Sequence, residues 1–440
     1  MTFRLSSLII LIFSLCSIFT VSCYYDEDDD DDDDTTSYIY TRSTETAVDS
    51  VANVFIAGYT YGSLDDQVHQ GSADIFLKKF NASGTRLWTY QVGTSSADYM
   101  EGMVTSSSGE TYMVGYTYGA LSDHTSQGGV DTILIKTDGD GNKLWDIQTG
   151  TSANDYGFGV TVDSSGNVFI VGYTYGSLAG TITGSKDLFL IKYNSSGIFQ
   201  WAKQMGCSHD DTYSAADGAY AIDVQVDSTG NIYVAGFTSG NMEGNSLIGG
   251  YDLFAVKFDS IGNQLWVKQL GTTANEFLSE MVVSSSGEVY LTGYTAGTFT
   301  DQTTYEGYDL FLLKLSTEGA LEWTKQLGTD ADEFSKSITS DSSGNIYLTG
   351  YTSGSLISDT TGGYDLLIYK YDSAGTLLLS FQTGSAASDC ALGIITDSSN
   401  QIFLTGYTYG DLNSEDNTND YASFVSLYNA TGTHQWTSIF

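Results

Sequence analysis

Residues 157–204 read GFGVTVDSSGNVFIVGYTYGSLAGTITGSKDLFLIKYNSSGIFQWAKQ. Four short runs of apolar, β-branched and aromatic residues are separated by two tight-turn sequences and one longer loop. The turn sequences, residues 164–167 and 194–197, are rich in the Ser, Gly and Asn residues that turns favour. This stretch predicts four antiparallel strands, which we name A to D. They cover residues 157–163, 168–173, 187–193 and 198–204.

The same pattern occurs seven times, at intervals of about 57 residues, with one longer interval in the middle of the chain. Three markers recur once in each unit. The sequence Gly-(Tyr/Phe)-Thr begins at Gly58, Gly115, Gly172, Gly236, Gly293, Gly350 and Gly406. An Asp opens strand C at Asp74, Asp131, Asp187, Asp252, Asp309, Asp365 and Asp420. Strand D carries Trp88, Trp145, Trp201, Trp266, Trp323, Leu379 and Trp436 in the seven units.

Four antiparallel strands repeated seven times predict an all-β, seven-bladed β-propeller over residues 45–440. Its strands are near-continuously apolar, as expected where neighbouring blades cover both faces of each sheet. The first predicted strand A and the last predicted strand D lie at the two ends of the repeats. Closure therefore does not require an exchanged strand, although residues 38–41 could also pair as one.

The repeat is similar to the bacterial seven-bladed β-propeller (SBBP) repeat family. The residues that carry the resemblance are the Asp-x-Phe-x-x-Lys of strand C, the Trp of strand D, the Val-Asp-Ser-Ser-Gly-Asn turn and Gly-Tyr-Thr. The last blades depart most, with Leu379 in place of Trp and Val425 in place of Lys. The resemblance implies a secreted or surface lipoprotein, and it carries over no catalytic residue.

The N-terminus has the features of an export signal. Arg4 precedes an apolar run over residues 8–19, which is too short for a membrane-spanning helix. The run ends in Thr-Val-Ser-Cys, which resembles a bacterial lipobox and predicts lipidation at Cys23 after removal of residues 1–22. An ordinary cleaved signal with an incidental Cys is the alternative. Acyl chains would hold the protein on a membrane, since each buried CH₂ contributes ~0.8 kcal/mol.

Residues 23–44 are predicted to form a disordered tether, because the unbroken acidic run at 26–34 repels itself and cannot fold. The run resembles acidic signals that send lipoproteins to the outer-membrane surface, and a solvated spacer is the alternative reading. The predicted location is the bacterial cell envelope, as an outer-membrane lipoprotein that faces either the periplasm or the cell surface.

Composition excludes several classes of protein. The chain has 440 residues and a net charge of −38, which argues against nucleic-acid binding because that requires basic patches. Four Cys are too few for a disulfide scaffold. Cys207 and Cys390 lie about three blades apart, too far for a shared disulfide, so we expect both to be unpaired. No cofactor is predicted, and we expect a monomer.

The strand order separates two faces of the propeller. The A–B and C–D turns form one face, which we call the turn face, and the B–C loops and D–A links form the other, the loop face. Variation in length and sequence is confined to the loop face, including an insertion within residues 207–218, so we predict that this face binds the ligand. Drift in unconstrained loops is the alternative. The candidate binding residues are Tyr61, His69, Tyr118, His124, Tyr175, His209, Asp210, Asp211 and Tyr409.

Candidate metal ligands are sparse, and we predict no metal site. His209, Asp210 and Asp211 are suitable ligand types, but adjacent residues do not easily share one ion. His69 and His124 lie in neighbouring B–C loops. Residues 138–142 resemble a calcium loop, yet they occupy a C–D turn, and turn chemistry explains them better.

Six Lys recur five residues after the strand-C Asp, at Lys79, Lys136, Lys192, Lys257, Lys314 and Lys370. We hypothesise that each reaches the Asp of its own A–B turn, as Lys192 would reach Asp163.

Three functions remain open from the sequence. The first is a lipid-anchored, non-enzymatic propeller that binds a protein or polysaccharide through the loop face. The second is a propeller enzyme acting on glycans, a lyase or hydrolase, for which we find no catalytic motif. The third is a purely structural envelope protein.

Overall fold

The computed structural model describes residues 41–440 apart from 208–217, 304, 360–361, 414, 416 and 418–420, and for residues 41–44 it describes the backbone only. It contains seven four-stranded sheets, each made of consecutive antiparallel strands. The strands are β1 Thr41–Val48, β2 Val54–Thr60, β3 Asp74–Phe80, β4 Arg86–Val92, β5 Asp98–Thr105, β6 Thr111–Thr117, β7 Asp131–Thr137, β8 Lys143–Thr149, β9 Asp155–Val162, β10 Val168–Thr174, β11 Asp187–Tyr193, β12 Phe199–Met205, β13 Ala219–Val226, β14 Ile232–Thr238, β15 Asp252–Phe258, β16 Gln264–Leu270, β17 Glu276–Val283, β18 Val289–Thr295, β19 Asp309–Leu315, β20 Leu321–Leu327, β21 Glu333–Ser340, β22 Ile346–Thr352, β23 Asp365–Tyr371, β24 Leu377–Thr383, β25 Asp389–Thr396, β26 Ile402–Thr408, β27 Ala422–Tyr428 and β28 His434–Ile439.

The sheets close into a ring around their A strands. Each strand A contacts strand A of the next blade, and β25 of blade 7 contacts β1 of blade 1. The predicted seven-bladed propeller is therefore confirmed, and every described sheet is built without an exchanged strand. Strands β9 to β12 agree with the sequence prediction to within about two residues. Strand β1 begins earlier than predicted, because it pairs with β2 along the full length of that strand.

Burial changes systematically from the inner to the outer strands. Strands B and C are buried almost throughout, whereas strand D has exposed residues at its start. Neighbouring blades thus cover both faces of the middle strands, and their apolar residues form cores shared between blades. In the part of the chain that is described, no helix is long and apolar enough to cross a membrane.

The Gly of Gly-Tyr-Thr accommodates a β-bulge in strand A. At Gly172, a Cβ would lie 1.8 Å from the Tyr156 carbonyl oxygen, because the register of β9 shifts at this point. The repeated Gly is therefore required by the close approach of strand A.

The repeated Trp residues join successive blades on the turn face. Trp266 packs against Tyr233 of its own blade, with ring centroids 6.2 Å apart. It also lies beneath Gly319 in the C–D turn of the next blade, where φ is +77° and a Cβ would be 3.2 Å from the indole. Its Nε1 donates a hydrogen bond of 3.2 Å to the Thr317 carbonyl oxygen. In blade 6, Phe381 and Leu379 take the place of the indole beneath Gly432.

The repeated Lys residues make a second connection between blades. Lys79 pairs with Asp49 in its own A–B turn at 3.6 Å and donates to the Gly139 carbonyl oxygen of the next blade at 3.0 Å. Lys370 pairs with Asp341 at 3.5 Å, which confirms the hypothesis for these two blades. Each of the six ammonium groups also lies 4.6–5.6 Å from the centroid of an aromatic ring on strand B of its own blade.

The hypothesis fails in detail for other blades. Lys136 and Lys314 pair with Glu110 and Glu288, which stand at the end of the A–B turn. Lys192 donates to the Ser260 carbonyl oxygen of the next blade at 3.4 Å. Among the described residues, no ion pair forms between Lys192 and Asp163. Charge and backbone acceptors on the same face therefore substitute for one another.

Candidate functional site

The loop face carries a series of aromatic rings that we call the aromatic belt. In most blades an aromatic residue of strand A packs against the Tyr or Phe of Gly-(Tyr/Phe)-Thr, and successive ring centroids are 4.9–5.4 Å apart. Cys390 and Arg42 stand at the strand-A position in blades 7 and 1, so the belt ends there. Its members are Tyr59, Tyr99, Tyr116, Tyr156, Tyr173, Tyr220, Phe237, Phe277, Tyr294, Phe334 and Tyr351.

Three candidate residues from the sequence, Tyr61, Tyr118 and Tyr175, lie directly on this belt, and we call them the outer tyrosines. Their exposed fractions are 46%, 42% and 37%. Each makes edge-to-face contact with a belt ring, as Tyr61 does with Tyr59 at 6.0 Å and 84°. Tyr409 of blade 7 makes the corresponding contact with Tyr407 at 6.0 Å. The structure therefore brings the four predicted tyrosines onto one face of the propeller.

Blades 4 to 6 place their loop tyrosines differently. Ser239, Ala296 and Ser353 stand where blades 1 to 3 have the outer tyrosines. A tyrosine instead precedes strand C, at Tyr251, Tyr308 and Tyr364. These rings are half-buried, and Tyr251 packs between the belt rings of blades 4 and 5 at 5.8 and 5.5 Å.

Two lysines lie against the belt, and sequence analysis missed both. Lys186 is buried, donates to the Tyr220 hydroxyl, and lies 4.5 Å from the centroid of that ring and 5.3 Å from that of Tyr175. Lys336 lies 5.4–5.6 Å from three belt rings. Neither occupies a position that is Lys in the other blades, so their departure from the repeat was the available signal.

The histidine candidates do not converge. In blade 1, His69 Nε2 is 4.0 Å from Asp74 Oδ1. In blade 2, His124 Nε2 is 3.6 Å from Asp146 Oδ2. Among the described residues no group of three His, Cys, Asp or Glu side chains is arranged to hold a metal ion. His209, Asp210, Asp211 and Cys23 lie outside the described residues.

Residues 138–142 form a turn capped by an aspartate side chain. Asp138 Oδ1 accepts hydrogen bonds from the Asp140 and Asn142 backbone N–H groups at 3.0 and 2.9 Å. The hydrogen bonds from the Asn142 side chain and backbone lower the pKa of Asp138. The same bonds form around Asp163 in an A–B turn, so turn chemistry accounts for this sequence.

In blades 1 to 6 the B–C loop is fixed beneath its variable residues by a Gln–Asp pair. In blade 4, Gln269 Nε2 donates to Asp252 Oδ2 at 2.9 Å and to the Gly240 carbonyl oxygen at 3.2 Å, and its Oε1 accepts from the Met242 N–H at 2.9 Å. The equivalent Gln–Asp bond forms in blades 1 to 6. The Gln recurs three residues after the Trp position, and this signal was missed in the sequence. The loops therefore vary in sequence on a common support.

A second set of buried carboxyl groups fixes the D–A links. Glu333 accepts hydrogen bonds from Thr329 N–H and Oγ1 at 2.6 and 2.7 Å and from Thr352 Oγ1 at 2.6 Å. Burial raises the pKa of the residue at this position in five blades. They are Asp98, Asp155, Glu276, Glu333 and Asp389.

Carboxyl groups also lie between adjacent A strands. Asp223 Oδ2 accepts from the Met281 N–H of the next blade at 3.0 Å, and Glu280 Oε2 accepts from the Ile338 N–H at 2.8 Å. Burial, followed by repulsion from Asp223, raises the pKa of Glu280. Burial and repulsion from its neighbours likewise raise the pKa of Glu45 on β1.

One cysteine prediction was wrong. Cys390 takes part in a disulfide, although we expected it to be unpaired. The expectation that no disulfide joins Cys207 to Cys390 is confirmed, since Cys207 lies in the core between blades 3 and 4 and Cys390 is on β25.

Family comparison supports the repeat. Residues 145–179 and 322–357 match the family model described as SBBP, beta-propeller repeat. Each segment runs from strand D of one blade through strands A and B of the next. The resemblance noted in the sequence is confirmed for these segments.

Two curated relatives are similar to parts of the chain. Regulatory protein FlaEY of Caulobacter vibrioides is 25% identical over 76% of this chain and 39% of its own length. An uncharacterized WD repeat-containing protein, L264, of Acanthamoeba polyphaga mimivirus is 30% identical over 26% of this chain and 10% of its own. The matches thus span well under half of either relative.

Solved propellers share the fold at low identity. The crystal structure of polysaccharide lyase Uly1 superposes with a TM-score of 0.51 at 11% identity, covering 88% of this chain and 90% of that chain. At this identity the likeness shows a common fold and nothing about activity.

Proposed function

We propose that this protein is a lipid-anchored component of the bacterial cell envelope, and that its propeller binds a protein or polysaccharide through the loop face without catalysing a reaction. The observation that carries the proposal is that the two faces use their side chains differently. On the turn face, the repeated Trp and Lys side chains are engaged in contacts between blades. On the loop face, exposed aromatic rings project from loops that a buried support holds in place.

Strand direction supports a role at a surface. Strand A runs from the loop face to the turn face, so Thr41, the first residue of β1, lies on the loop face. Residues 23–40, fully extended, would span ~60 Å at ~3.4 Å per residue. Such a spacer would allow the loop face to reach a ligand above a membrane.

The binding face is tested with two matched triple variants of the full-length protein in detergent. Tyr61→Ser, Tyr118→Ser and Tyr175→Ser alter the loop face. Leu87→Ser, Leu144→Ser and Leu265→Ser remove side chains that are 49–53% exposed where strand D leaves the turn face. Both proteins are screened against arrays of polysaccharides and purified envelope proteins. We expect the tyrosine variant alone to lose the ligand; loss only in the leucine variant would contradict the proposal.

The anchor is tested separately by Cys23→Ser. We expect the wild-type protein to incorporate radiolabelled palmitate and to float with outer-membrane vesicles, and the variant to do neither. Equal labelling of the two proteins would exclude Cys23 as the lipidation site. External protease treatment of intact cells then distinguishes the outer surface from the periplasm.

A further inference from the structure

Blades 1 to 3 form a distinct sector of the loop face. The outer tyrosines Tyr61, Tyr118 and Tyr175 occupy the same position in three consecutive blades, immediately after strand B. They are therefore related by successive one-seventh rotations about the propeller axis. Their exposed fractions, 46%, 42% and 37%, leave part of each ring accessible.

Contacts with the aromatic belt hold these rings in place. Tyr118 meets Tyr116 at 6.2 Å and Tyr99 at 6.4 Å, with interplanar angles of 69° and 80°. Tyr175 meets Tyr173 at 6.0 Å and 70°, and the Lys186 ammonium lies 5.3 Å from its centroid. Tyr61 meets Tyr59 at 6.0 Å and 84°. Little conformational entropy would be lost on binding, because the rings are already supported.

We infer that the sector of blades 1 to 3 binds an uncharged polysaccharide, whose sugar units stack on Tyr61, Tyr118 and Tyr175. The inference rests on the proposed binding function of the loop face and names its ligand class. Equivalent rings at a regular interval suit a polymer of repeating units better than the irregular surface of a protein. An aromatic face attracts the weakly positive C–H groups of a sugar ring, and the tyrosine hydroxyls can bond to sugar hydroxyls.

Charge favours an uncharged polymer over an acidic one. The chain has a net charge of −38, and the loops that carry Tyr61 and Tyr118 also carry exposed Asp65, Asp66 and Asp123. An anionic glycan would be repelled by this field. Asp65 is paired with Arg86, whereas Asp66 and Asp123 are in none of the ion pairs found among the described residues. Lys186, beside Tyr175, is buried and already lies against aromatic rings.

The test measures the affinity of the full-length protein for soluble xylan, galactomannan, mixed-linkage β-glucan and dextran, with alginate as the acidic comparison. Tyr61→Ser, Tyr118→Ser and Tyr175→Ser are combined. We expect at least a 100-fold loss of affinity, at ~1 kcal/mol for each stacked ring. The corresponding triple Tyr→Phe variant should stay within ~10-fold of wild type, because stacking survives.

Tyr305→Ser is the matched control, since Tyr305 is 45% exposed on the loop face of blade 5, outside the sector. It should bind as the wild type does. Equal losses in Tyr305→Ser and the triple Ser variant would overturn the sector, and preference for alginate would overturn the uncharged ligand. If all the polysaccharides fail to bind while an envelope protein binds through the loop face, the inference is wrong and the proposed function stands. Binding through the turn face would refute both.

Discussion

On the turn face, the residues that recur in the sequence are the residues that make the contacts: Trp266 lies beneath Gly319, and Lys79 bonds across to the next blade. On the loop face, the recurring contacts lie beneath residues that differ from blade to blade. Gln269 and Asp252 hold a loop whose equivalents carry Tyr, Ser or Ala at the position that follows strand B. The repeat therefore determines the side-chain contacts of the turn face. On the loop face it determines only the buried contacts, and the residues above them differ between blades.

The largest effect is expected from loss of the turn-face indole. Trp266→Ala removes packing against Tyr233 and Gly319 and leaves the Thr317 carbonyl oxygen without this donor. We expect a loss of about 3 kcal/mol in the free energy of unfolding, measured by urea denaturation. The double variant Trp266→Leu, Lys268→Phe copies the residues of blade 6 and should recover part of it. If the double variant is no more stable than Trp266→Ala, the Leu and Phe of blade 6 cannot replace the indole in blade 4 without further changes.

A smaller effect is expected from the loop-face support. Gln269→Ala leaves Asp252 Oδ2, the Met242 N–H and the Gly240 carbonyl oxygen without this partner in a buried site. We expect a loss of about 2 kcal/mol, the cost of unsatisfied buried polar groups. Gln264 begins the same strand, is exposed and donates to Glu243 at 2.9 Å, so Gln264→Ala should cost less than ~0.5 kcal/mol. Equal losses in urea denaturation would mean that the buried pair gives no special support.

The faces should also respond oppositely to pH. Burial raises the pKa of Glu333 below the loop face and of Glu280 between A strands, so their stabilising contribution is lost as pH rises through the folded pKa. In the turn-face Asp341, hydrogen bonds from Asn345 and Tyr347 outweigh burial and lower the pKa, so its contribution is lost as pH falls through the folded pKa. Stability should therefore increase from pH 8 towards about pH 5 and decrease below about pH 4.

Two variants test the two pH ranges separately. Glu280→Gln should reduce the change in unfolding free energy between about pH 5 and about pH 8 by about 1 kcal/mol. Asp341→Asn should reduce the loss of stability below about pH 4. Urea denaturation at each pH measures both. Unchanged profiles in both variants would show that these carboxyl groups do not govern the pH dependence.

The sequence predicts the ring of blades because its strongest signals are local: turn residues, apolar runs and a Trp at a fixed interval. It also places Tyr61, Tyr118, Tyr175 and Tyr409 on one face, since strand order alone decides that. The aromatic belt could not be predicted, because it depends on contacts between strands A and B of one blade and between strand B of that blade and strand A of the next. Lys186 and Lys336 were not predicted for a related reason. Each occurs in a single blade, at a position that is not Lys in the other blades.

The smallest effect on stability is expected where the effect on binding should be largest. The combined Tyr61→Ser, Tyr118→Ser and Tyr175→Ser variant removes partly exposed rings whose contacts are edge-to-face with a belt that remains intact. We expect a loss below about 1 kcal/mol, as for other surface substitutions. Urea denaturation of this variant beside Gln269→Ala checks the order. A larger loss than in Gln269→Ala would make the outer tyrosines part of the support itself, and the contrast between a fixed base and free loop residues would then fail in blades 1 to 3.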